Sequence, residues 1–162
     1  MKNIEITTHH FHYYLNSLGW ITIGSDNTHL TLLQFARLDI PHAIFGTDLI
    51  IEQTIEQLNE YLDNKRLQFN IPIRLEVSKS HISVLKQIQA INYGNTMTYK
   101  QIAEQINSKA YRYIGTCCKK NPILIVIPCH RVVSKNNPFA YVAGSKIKQT
   151  LLSLETKNRL GS

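Results

Sequence analysis

The chain has few cysteines, and their spacing excludes two common structural roles. Only Cys117, Cys118 and Cys129 occur among the 162 residues, too few for the disulfide framework of a small secreted protein. No Cys-x-x-Cys pair is present, so the usual signature of a structural zinc site is missing. Free thiols are typical of a reduced compartment, and we expect a cytoplasmic, intracellular protein.

Long apolar runs are also absent. No apolar stretch approaches the length that spans a bilayer. Residues 1–3 are not followed by the apolar core of a signal peptide. We therefore expect no contact with a membrane. A chain of this length can bury a core as one domain or as two small ones.

Acidic residues are scarce in the second part of the chain. Residues 99–162 contain 11 Lys and Arg but only Glu104 and Glu155 as acids, whereas residues 1–98 contain 7 Lys and Arg and 9 Asp and Glu. The net charge of +7 therefore conceals a first part of −2 and a second part of +9. This asymmetry indicates a partner that is a polyanion. An ordinary solvated basic surface is the alternative.

Apolar periodicity predicts an α/β domain in residues 1–77. Two strands are expected at Trp20–Gly24 and Leu30–Phe35, joined by a turn. Apolar residues at helical spacing predict a helix from about Asp48 to Asp63, and Ile73–Val77 is expected to return to the sheet. No residue here suggests chemistry, so the expected role of this part is that of a scaffold.

The following residues predict mostly helices. A helix is expected from Ser80 to Ile91, with Gly94 as a plausible stop. Thr98 and Gln101 have the spacing of a capping box, which opens a short helix to about residue 106. A turn and a second helix over about 109–119 complete a helix-turn-helix pattern. The fold class is thus α/β (α+β), with an N-terminal domain of antiparallel sheet and helix (1–77) and a mostly helical C-terminal domain (78–162).

The segment around Cys129 carries the clearest chemical signal. Residues 123–127 form an unbroken, largely β-branched apolar run that predicts a buried strand, which Pro128 ends. Cys129 and His130 follow directly. A thiol is a strong nucleophile only as its thiolate, and an imidazole held by a carboxylate can remove the proton. Cys129 is therefore a candidate reaction centre.

Several motifs in the second part resemble one family. They are Tyr93-Gly94-Asn95-Thr96, Thr98-Tyr99, Tyr111-Arg112-Tyr113-Ile114-Gly115-Thr116, Asn121-Pro122, Pro128-Cys129-His130-Arg131-Val132, and a last helix with Lys148, Leu151 and Glu155. This combination resembles the O6-alkylguanine-DNA alkyltransferases, also called methylated-DNA-protein-cysteine methyltransferases. The resemblance extends from about residue 93 to residue 155 and is looser before that.

The resemblance implies a set of catalytic residues. Cys129 accepts the alkyl group, His130 is its general base through a bound water, and Glu155 orients His130. Tyr99 helps to rotate the target base and to protonate the leaving guanine. The residues themselves support this reading, because Glu155 is one of two acids in the basic part and lies on an amphipathic helix. The alternative interpretation is that Glu155 is an isolated carboxylate exposed to solvent.

The resemblance also implies how DNA is bound. The second helix of the helix-turn-helix enters the minor groove, where the small Ala110 permits close approach, and Arg112 fills the space that a flipped base leaves. Asn121 matches a hinge asparagine that joins this helix to the active site. Thr98, Asn121 and Arg131 complete the residues expected at the DNA-binding region. A phosphate contact is the alternative for Arg112.

A loop near residue 142 is expected to wall the base pocket. Tyr141 would pack on the flipped guanine, with Val142 and Ala143 beside it. Many family members have a serine where this chain has Val142, which carries no hydrogen-bond donor. A contact to O6 would then come from backbone amides alone.

The resulting hypothesis is a DNA repair protein. It would transfer the alkyl group of O6-alkylguanine, and of O4-alkylthymine, irreversibly to Cys129, as a monomer without cofactor or metal. The alternatives are a non-catalytic helix-turn-helix or lesion-recognition module, and a thiol hydrolase that uses Cys129. A metal site at His9, His10 and His12 is a further alternative, because a spacing of two on a strand places side chains on one face.

Overall fold

The fold is mixed α/β, as the sequence predicts. A computed structural model describes residues 10–160. Its elements in chain order are β1 (His10–Asn16), β2 (Gly19–Ser25), β3 (Leu30–Phe35), α1 (Leu49–Leu62), α2 (Lys79–Gln89), β4 (Met97–Thr98), α3 (Tyr99–Gln105), α4 (Tyr111–Lys119), a 3-10 turn (Cys129–Arg131), β5 (Val132–Val133) and α5 (Ser145–Leu160).

The first part of the chain is an antiparallel sheet of order β1-β2-β3, packed on α1. The carboxylate of Asp26 accepts hydrogen bonds from the backbone of Thr28 and His29 and closes the turn between β2 and β3. Asp48 caps α1 by accepting from the Ile51 amide at 2.9 Å. The predicted strands and helix of this part are therefore confirmed.

Two predictions for the first part need correction. The sequence predicts no strand before Trp20 except within the alternative of a histidine metal site, yet β1 pairs with β2 along its whole length. The predicted return of residues 73–77 to the sheet is wrong apart from one bridge between Ile73 and Leu30. Proline at 72 removes a donor, and only a short contact with the sheet edge forms.

The helix-turn-helix is present with the predicted cap. The Thr98 hydroxyl accepts from the Gln101 amide, and the Gln101 side chain accepts from the Thr98 amide, which is the reciprocal pattern of a capping box. Asn107, with φ of +53°, reverses the chain between α3 and α4. This left-handed conformation is one that asparagine adopts more readily than most residues.

Residues 123–127 are buried, but the predicted strand is wrong. The segment folds into a tight turn in which Ile125 has φ of +69° and the Ile127 amide donates to the Ile123 carbonyl at 3.0 Å. A single bridge joins Ile123 to Leu33 of β3. Burial explains the apolar composition of residues 123–127. The segment leads to Pro128, which directly precedes the 3-10 turn.

One core connects both parts of the chain. Buried residues of the sheet and α1 pack in the same cluster as those of α2, α3, α4 and the turn before Cys129. The Leu33 amide donates to the Pro122 carbonyl, and the Leu124 amide donates to the Leu33 carbonyl, both at 2.9 Å. A domain boundary near residue 77 stays a prediction. Within residues 10–160, no helix is long and apolar enough to cross a membrane.

Candidate active site

Cys129 is the first residue of the 3-10 turn and is almost completely buried, with 3% of its surface exposed. Its sulfur accepts a hydrogen bond from Asn121 Nδ2 at 3.3 Å. The same amide nitrogen donates to the Ile127 carbonyl at 2.9 Å, and Asn121 Oδ1 accepts from the Ile123 amide at 3.0 Å. Asn121 therefore fixes the turn before Cys129 and the sulfur together.

Asn121 is also the link between the helix-turn-helix and the reaction centre. The backbone amide of Asn121 donates to the Cys118 carbonyl near the end of α4, at 3.3 Å. Because Asn121 is itself buried, the structure places it behind the cysteine and not on the surface. Its hydrogen bonds are those expected of a hinge, and direct contact with DNA is not available to its side chain in this arrangement.

Burial raises the pKa of the Cys129 thiol to about 11. The hydrogen bond from Asn121 and the positive charge of Lys148 act in the opposite direction, because both favour the thiolate. At neutral pH the group is consequently a thiol. A nearby base must take its proton when it reacts.

His130 is fully buried beside Cys129 in the same turn. Its Nε2 lies 2.8 Å from Glu155 Oε1, and because the carboxylate is ionised, this nitrogen must carry the proton. Nδ1 is then the basic nitrogen of the neutral ring, and it has no hydrogen-bond partner among the described residues. Burial lowers the pKa of His130, against the opposing effect of Glu155, so the ring is neutral and can accept a proton at Nδ1.

Glu155 projects from α5 and is 1% exposed. Arg131 donates to both of its oxygens, Nε to Oε2 and Nη2 to Oε1, each at 2.9 Å. Tyr61 and the Gly94 amide donate to the same carboxylate, at 2.7 and 3.1 Å. Burial acts to raise the pKa of Glu155, but the hydrogen bonds from His130 and Arg131 outweigh it and hold the pKa at about 2.

Arg131 does not occupy the expected place at the DNA-binding region. Its side chain is buried, and its third nitrogen, Nη1, donates to the Ile91 carbonyl at 2.6 Å. The guanidinium also lies over the ring of Tyr93, 5.6 Å from its centroid. With its donors committed inside the protein, Arg131 holds Glu155 in place.

A cavity of about 650 Å³ opens directly beside Cys129. This volume lies within the range of about 300 to 1,000 Å³ that is typical of small-molecule sites. Tyr99, Tyr141 and Val142 line it as predicted, while Ala143 packs against the core beside it. The other residues that line it are Gly115, Cys118, Lys119, Asn137, Phe139, Ala140 and Ser145.

Two tyrosines shape the inner part of this cavity. The ring of Tyr141 stands edge-on to the His130 ring, with centroids 6.5 Å apart, and its buried hydroxyl faces the Cys129 sulfur without completing a hydrogen bond of normal geometry. Tyr99 packs beside Gly115, the position on α4 where any side chain would meet the ring. Burial raises the pKa of both phenols, so both are neutral donors.

The predicted DNA-binding residues of the helix-turn-helix lie at the surface. Ala110 is the exposed residue that precedes α4, and Arg112 is exposed in its first turn. Thr98 is half-buried, and its hydroxyl is used in the cap of α3. α4 therefore presents a small residue and a cation outward, while its inner face carries Gly115 and Cys118 to the cavity.

From the sequence alone, no role is predicted for three residues that contribute to the site. Lys148 is 1% exposed, donates to the Val132 and Ala140 carbonyls at 2.6 and 3.0 Å, and so ties the cavity loop to β5. Its position seven residues before Glu155, on the same helix face, was the available signal. Tyr61 and the cavity residue Cys118 gave no such signal.

Two of the three histidines near the N-terminus lie on the sheet and not at this site. His10 and His12 are on β1, and His9 lies outside the described residues. His10 Nδ1 contacts Asn27 Oδ1 at 2.8 Å. No cluster of three or more histidine, cysteine or acidic side chains suited to a metal occurs in residues 10–160.

Comparison with known proteins gives a consistent result. Residues 79–157 match the family model described as 6-O-methylguanine DNA methyltransferase, DNA binding domain. The methylated-DNA–protein-cysteine methyltransferase of Saccharolobus islandicus is 35% identical over 142 residues, which cover 88% of this chain and 92% of the relative. The protein of the same name from Metallosphaera sedula is 34% identical over 143 residues, covering 88% and 90%.

The fold agrees with a solved structure as well. A crystal structure of Mycobacterium tuberculosis OGT in complex with DNA matches with a TM-score of 0.85 and 28% identity, over 92% of this chain and 94% of that one. The match therefore includes the sheet and α1 and is not confined to the cysteine motif. Because identity of 35% extends over nearly the whole Saccharolobus protein, the chain belongs to the methylated-DNA–protein-cysteine methyltransferase family.

Proposed function

We propose that this protein repairs DNA by transferring the alkyl group of O6-alkylguanine, and of O4-alkylthymine, to its own Cys129. The observation that carries the proposal is a cysteine at the inner wall of a base-sized cavity, backed by a buried His130–Glu155 pair. The homologous proteins bear the name of this activity. The basic second part of the chain supplies the positive charge that a DNA substrate requires.

The chemistry follows from the groups in place. The Cys129 proton passes to His130 Nδ1 through a water, a sulfur–carbon bond forms at the alkyl carbon, and the bond from that carbon to O6 breaks. Tyr99, a neutral donor at the cavity, supplies a proton to the departing guanine. The product is a thioether, which has no easy hydrolytic exit, so each molecule reacts once. No step needs a cofactor.

DNA enters this proposal through α4. We propose that α4 lies in the minor groove of duplex DNA, with Ala110 permitting close approach of the backbone. A guanine inside the stack cannot reach a buried sulfur, so the base must rotate into the cavity. Arg112, exposed in the first turn of α4, fills the space that it leaves. We further propose that the protein acts as a monomer in the cytoplasm.

The direct test is the mass of the intact protein after incubation with duplex DNA that contains O6-methylguanine. We expect one methyl group per protein molecule, on the peptide with Cys129, in proportion to the lesion repaired. Repeated turnover, or a methyl group on Cys117 or Cys118, would contradict the mechanism. Tight binding to the lesion without any gain in mass would favour a non-catalytic recognition module.

Arg112 and His130 should affect different steps. Arg112→Ala should slow transfer from duplex DNA but leave the reaction with free O6-benzylguanine largely unchanged, because a free base needs no extrusion. His130→Ala should slow both reactions, by about 10² to 10⁴, since it removes the general base. The measurement is the second-order rate constant with each substrate.

Lys120→Ala is the control for charge alone. Lys120 is exposed just after α4 and carries the same charge as Arg112 at the opposite end of the helix. Its loss should weaken binding to DNA without changing the rate at saturating DNA. If Arg112→Ala slowed the reactions with duplex DNA and with the free base equally, Arg112 would have a structural role in α4. It would then not be the residue that fills the space left by the flipped base.

A further inference from the structure

Tyr61 links the first part of the chain to the catalytic carboxylate. It lies on α1, is fully buried, and its ring packs against Phe69 and Tyr93, with centroids 5.4 and 5.9 Å away. Its hydroxyl donates to Glu155 Oε1 at 2.7 Å, although the two residues are 94 positions apart. A buried tyrosine hydroxyl needs a hydrogen-bond partner, and for Tyr61 that partner is the carboxylate that also binds His130.

Glu155 divides its negative charge among several donors. Oε1 accepts from Tyr61, from His130 Nε2 and from Arg131 Nη2, while Oε2 accepts from Arg131 Nε and the Gly94 amide. Tyr61 and His130 thus share one oxygen. The more strongly other donors hold that oxygen, the less charge remains to stabilise a protonated imidazole.

We propose that Tyr61 is a positioning residue of the reaction centre, whose hydroxyl limits the hold of Glu155 on His130 and keeps that imidazole neutral and ready to accept the Cys129 proton. This inference rests on the proposed function only in taking His130 as the base. The first part of the chain then contributes to the chemistry, beyond the role of a scaffold that its sequence suggests.

Two cations lie close to this pair, and the neutral phenol of Tyr141 faces His130 from the cavity side. Arg131 is the cation that faces Glu155 from the 3-10 turn, and Lys148 of α5 adds positive charge near His130. Tyr93, in the segment after α2, lies beneath Arg131, and its hydroxyl accepts from Asn158 of α5 at 3.4 Å. These groups remain in place when only the Tyr61 hydroxyl is removed.

Tyr61→Phe isolates that hydroxyl, because the ring is retained. We expect the His130 titration, followed by NMR of the imidazole, to move to higher pH by about 0.5 to 1 unit, a fraction of what one hydrogen bond to a charged group can supply. The acid limb of the rate profile with methylated duplex DNA should move by the same amount. The rate below that limb should fall about three- to tenfold, the factor that such a shift implies.

Tyr14→Phe is the matched control. Like Tyr61, Tyr14 donates its hydroxyl to a side chain. Its acceptor is Asn59 Oδ1 of α1, at 2.7 Å, and not Glu155. This variant also loses one tyrosine hydrogen bond, and it should leave the His130 titration unchanged. An unshifted titration in Tyr61→Phe, or an equal shift in both variants, would overturn the inference.

The wild-type protein provides a test that does not depend on whether Tyr61→Phe folds. A tyrosine hydroxyl bound to a buried carboxylate exchanges slowly with solvent, and its proton signal should shift as His130 titrates; a signal that does not respond would refute the coupling. Neither NMR measurement needs a substrate. If the wild-type protein failed to accept a methyl group, the proposed function would fail while the titration would still decide this inference.

Discussion

Replacing Cys129 by serine should abolish alkyl transfer and leave binding to DNA intact. A serine hydroxyl is far less acidic than a thiol and is a weak nucleophile in its neutral form, so transfer should fall by at least roughly a thousandfold. The side chain is buried, and serine fits the same space. The measurements are the gain of methyl mass and the affinity for duplex DNA.

The salt dependence of this variant reports on the basic part of the chain. The affinity of Cys129→Ser should fall with salt, with a slope in log affinity of about −0.9 for each phosphate that is neutralised. Cys117→Ser is the control, since Cys117 is buried in α4 and does not line the cavity; it should transfer normally. Transfer by Cys129→Ser at a rate near that of the wild-type protein, or an affinity independent of salt, would contradict the proposal.

Glu155→Gln should destabilise the fold strongly. The substitution keeps the shape of the side chain but leaves Arg131 as a buried cation without its counter-charge, and removing one partner of a buried ion pair costs about 3 to 5 kcal/mol. That is a large part of the roughly 5 to 15 kcal/mol by which proteins of this kind are stable. Unfolding in urea, followed by circular dichroism, measures the change.

The pH dependence should change in the same variant. Because the pKa of Glu155 falls from 4.5 to about 2 on folding, its stabilisation is fully present above pH 4.5 and is lost as pH falls toward 2. The stability curve of Glu155→Gln should therefore be flatter in this window. Asp26 also has its pKa lowered to about 2, but it is present in both proteins, so the difference between them isolates Glu155.

Glu104→Gln is the control for an exposed carboxylate. Glu104 lies 3.9 Å from Lys100 on the surface of α3, and such pairs contribute about 1 kcal/mol or less. Its replacement should leave the urea midpoint almost unchanged. A similar midpoint for Glu155→Gln and the wild-type protein would show that the buried ion pair does not hold the fold together.

The helix-turn-helix could be predicted because its signals are local. The capping box of Thr98 and Gln101 lies within four residues and starts α3 without help from distant contacts. Likewise, the stripe of apolar residues in α1 reflects burial along one helix face. The contact between His130 and Glu155 was suggested by the family resemblance, since no local pattern joins residues 25 positions apart.

The turn before Cys129 could not be predicted from composition. β-branched residues favour strands, and a run of them usually indicates one, but what it reports is burial. Ile125 has φ of +69°, a conformation that costs a β-branched residue energy and that its neighbours must impose. The bonds of Asn121 to residues 123 and 127 supply that constraint, and they become visible only in three dimensions.

The hydrogen-bond partners of Tyr61 and Lys148 could not be predicted for a related reason. Each occupies an inward-facing position of a helix, where the sequence predicts only that the side chain is buried. The partner of each hydroxyl or ammonium group depends on how α1 and α5 pack against the 3-10 turn. Periodicity along one element carries no information about that packing.

The buried, neutral thiol gives this protein selectivity through access and not through inherent reactivity. With a pKa of about 11, the sulfur is almost entirely protonated at pH 7, so dissolved electrophiles meet a weakly nucleophilic group. A base held in the cavity contacts the sulfur and the phenols of Tyr99 and Tyr141 together. A protein that can react only once therefore stays unreactive until a base occupies the cavity beside Cys129.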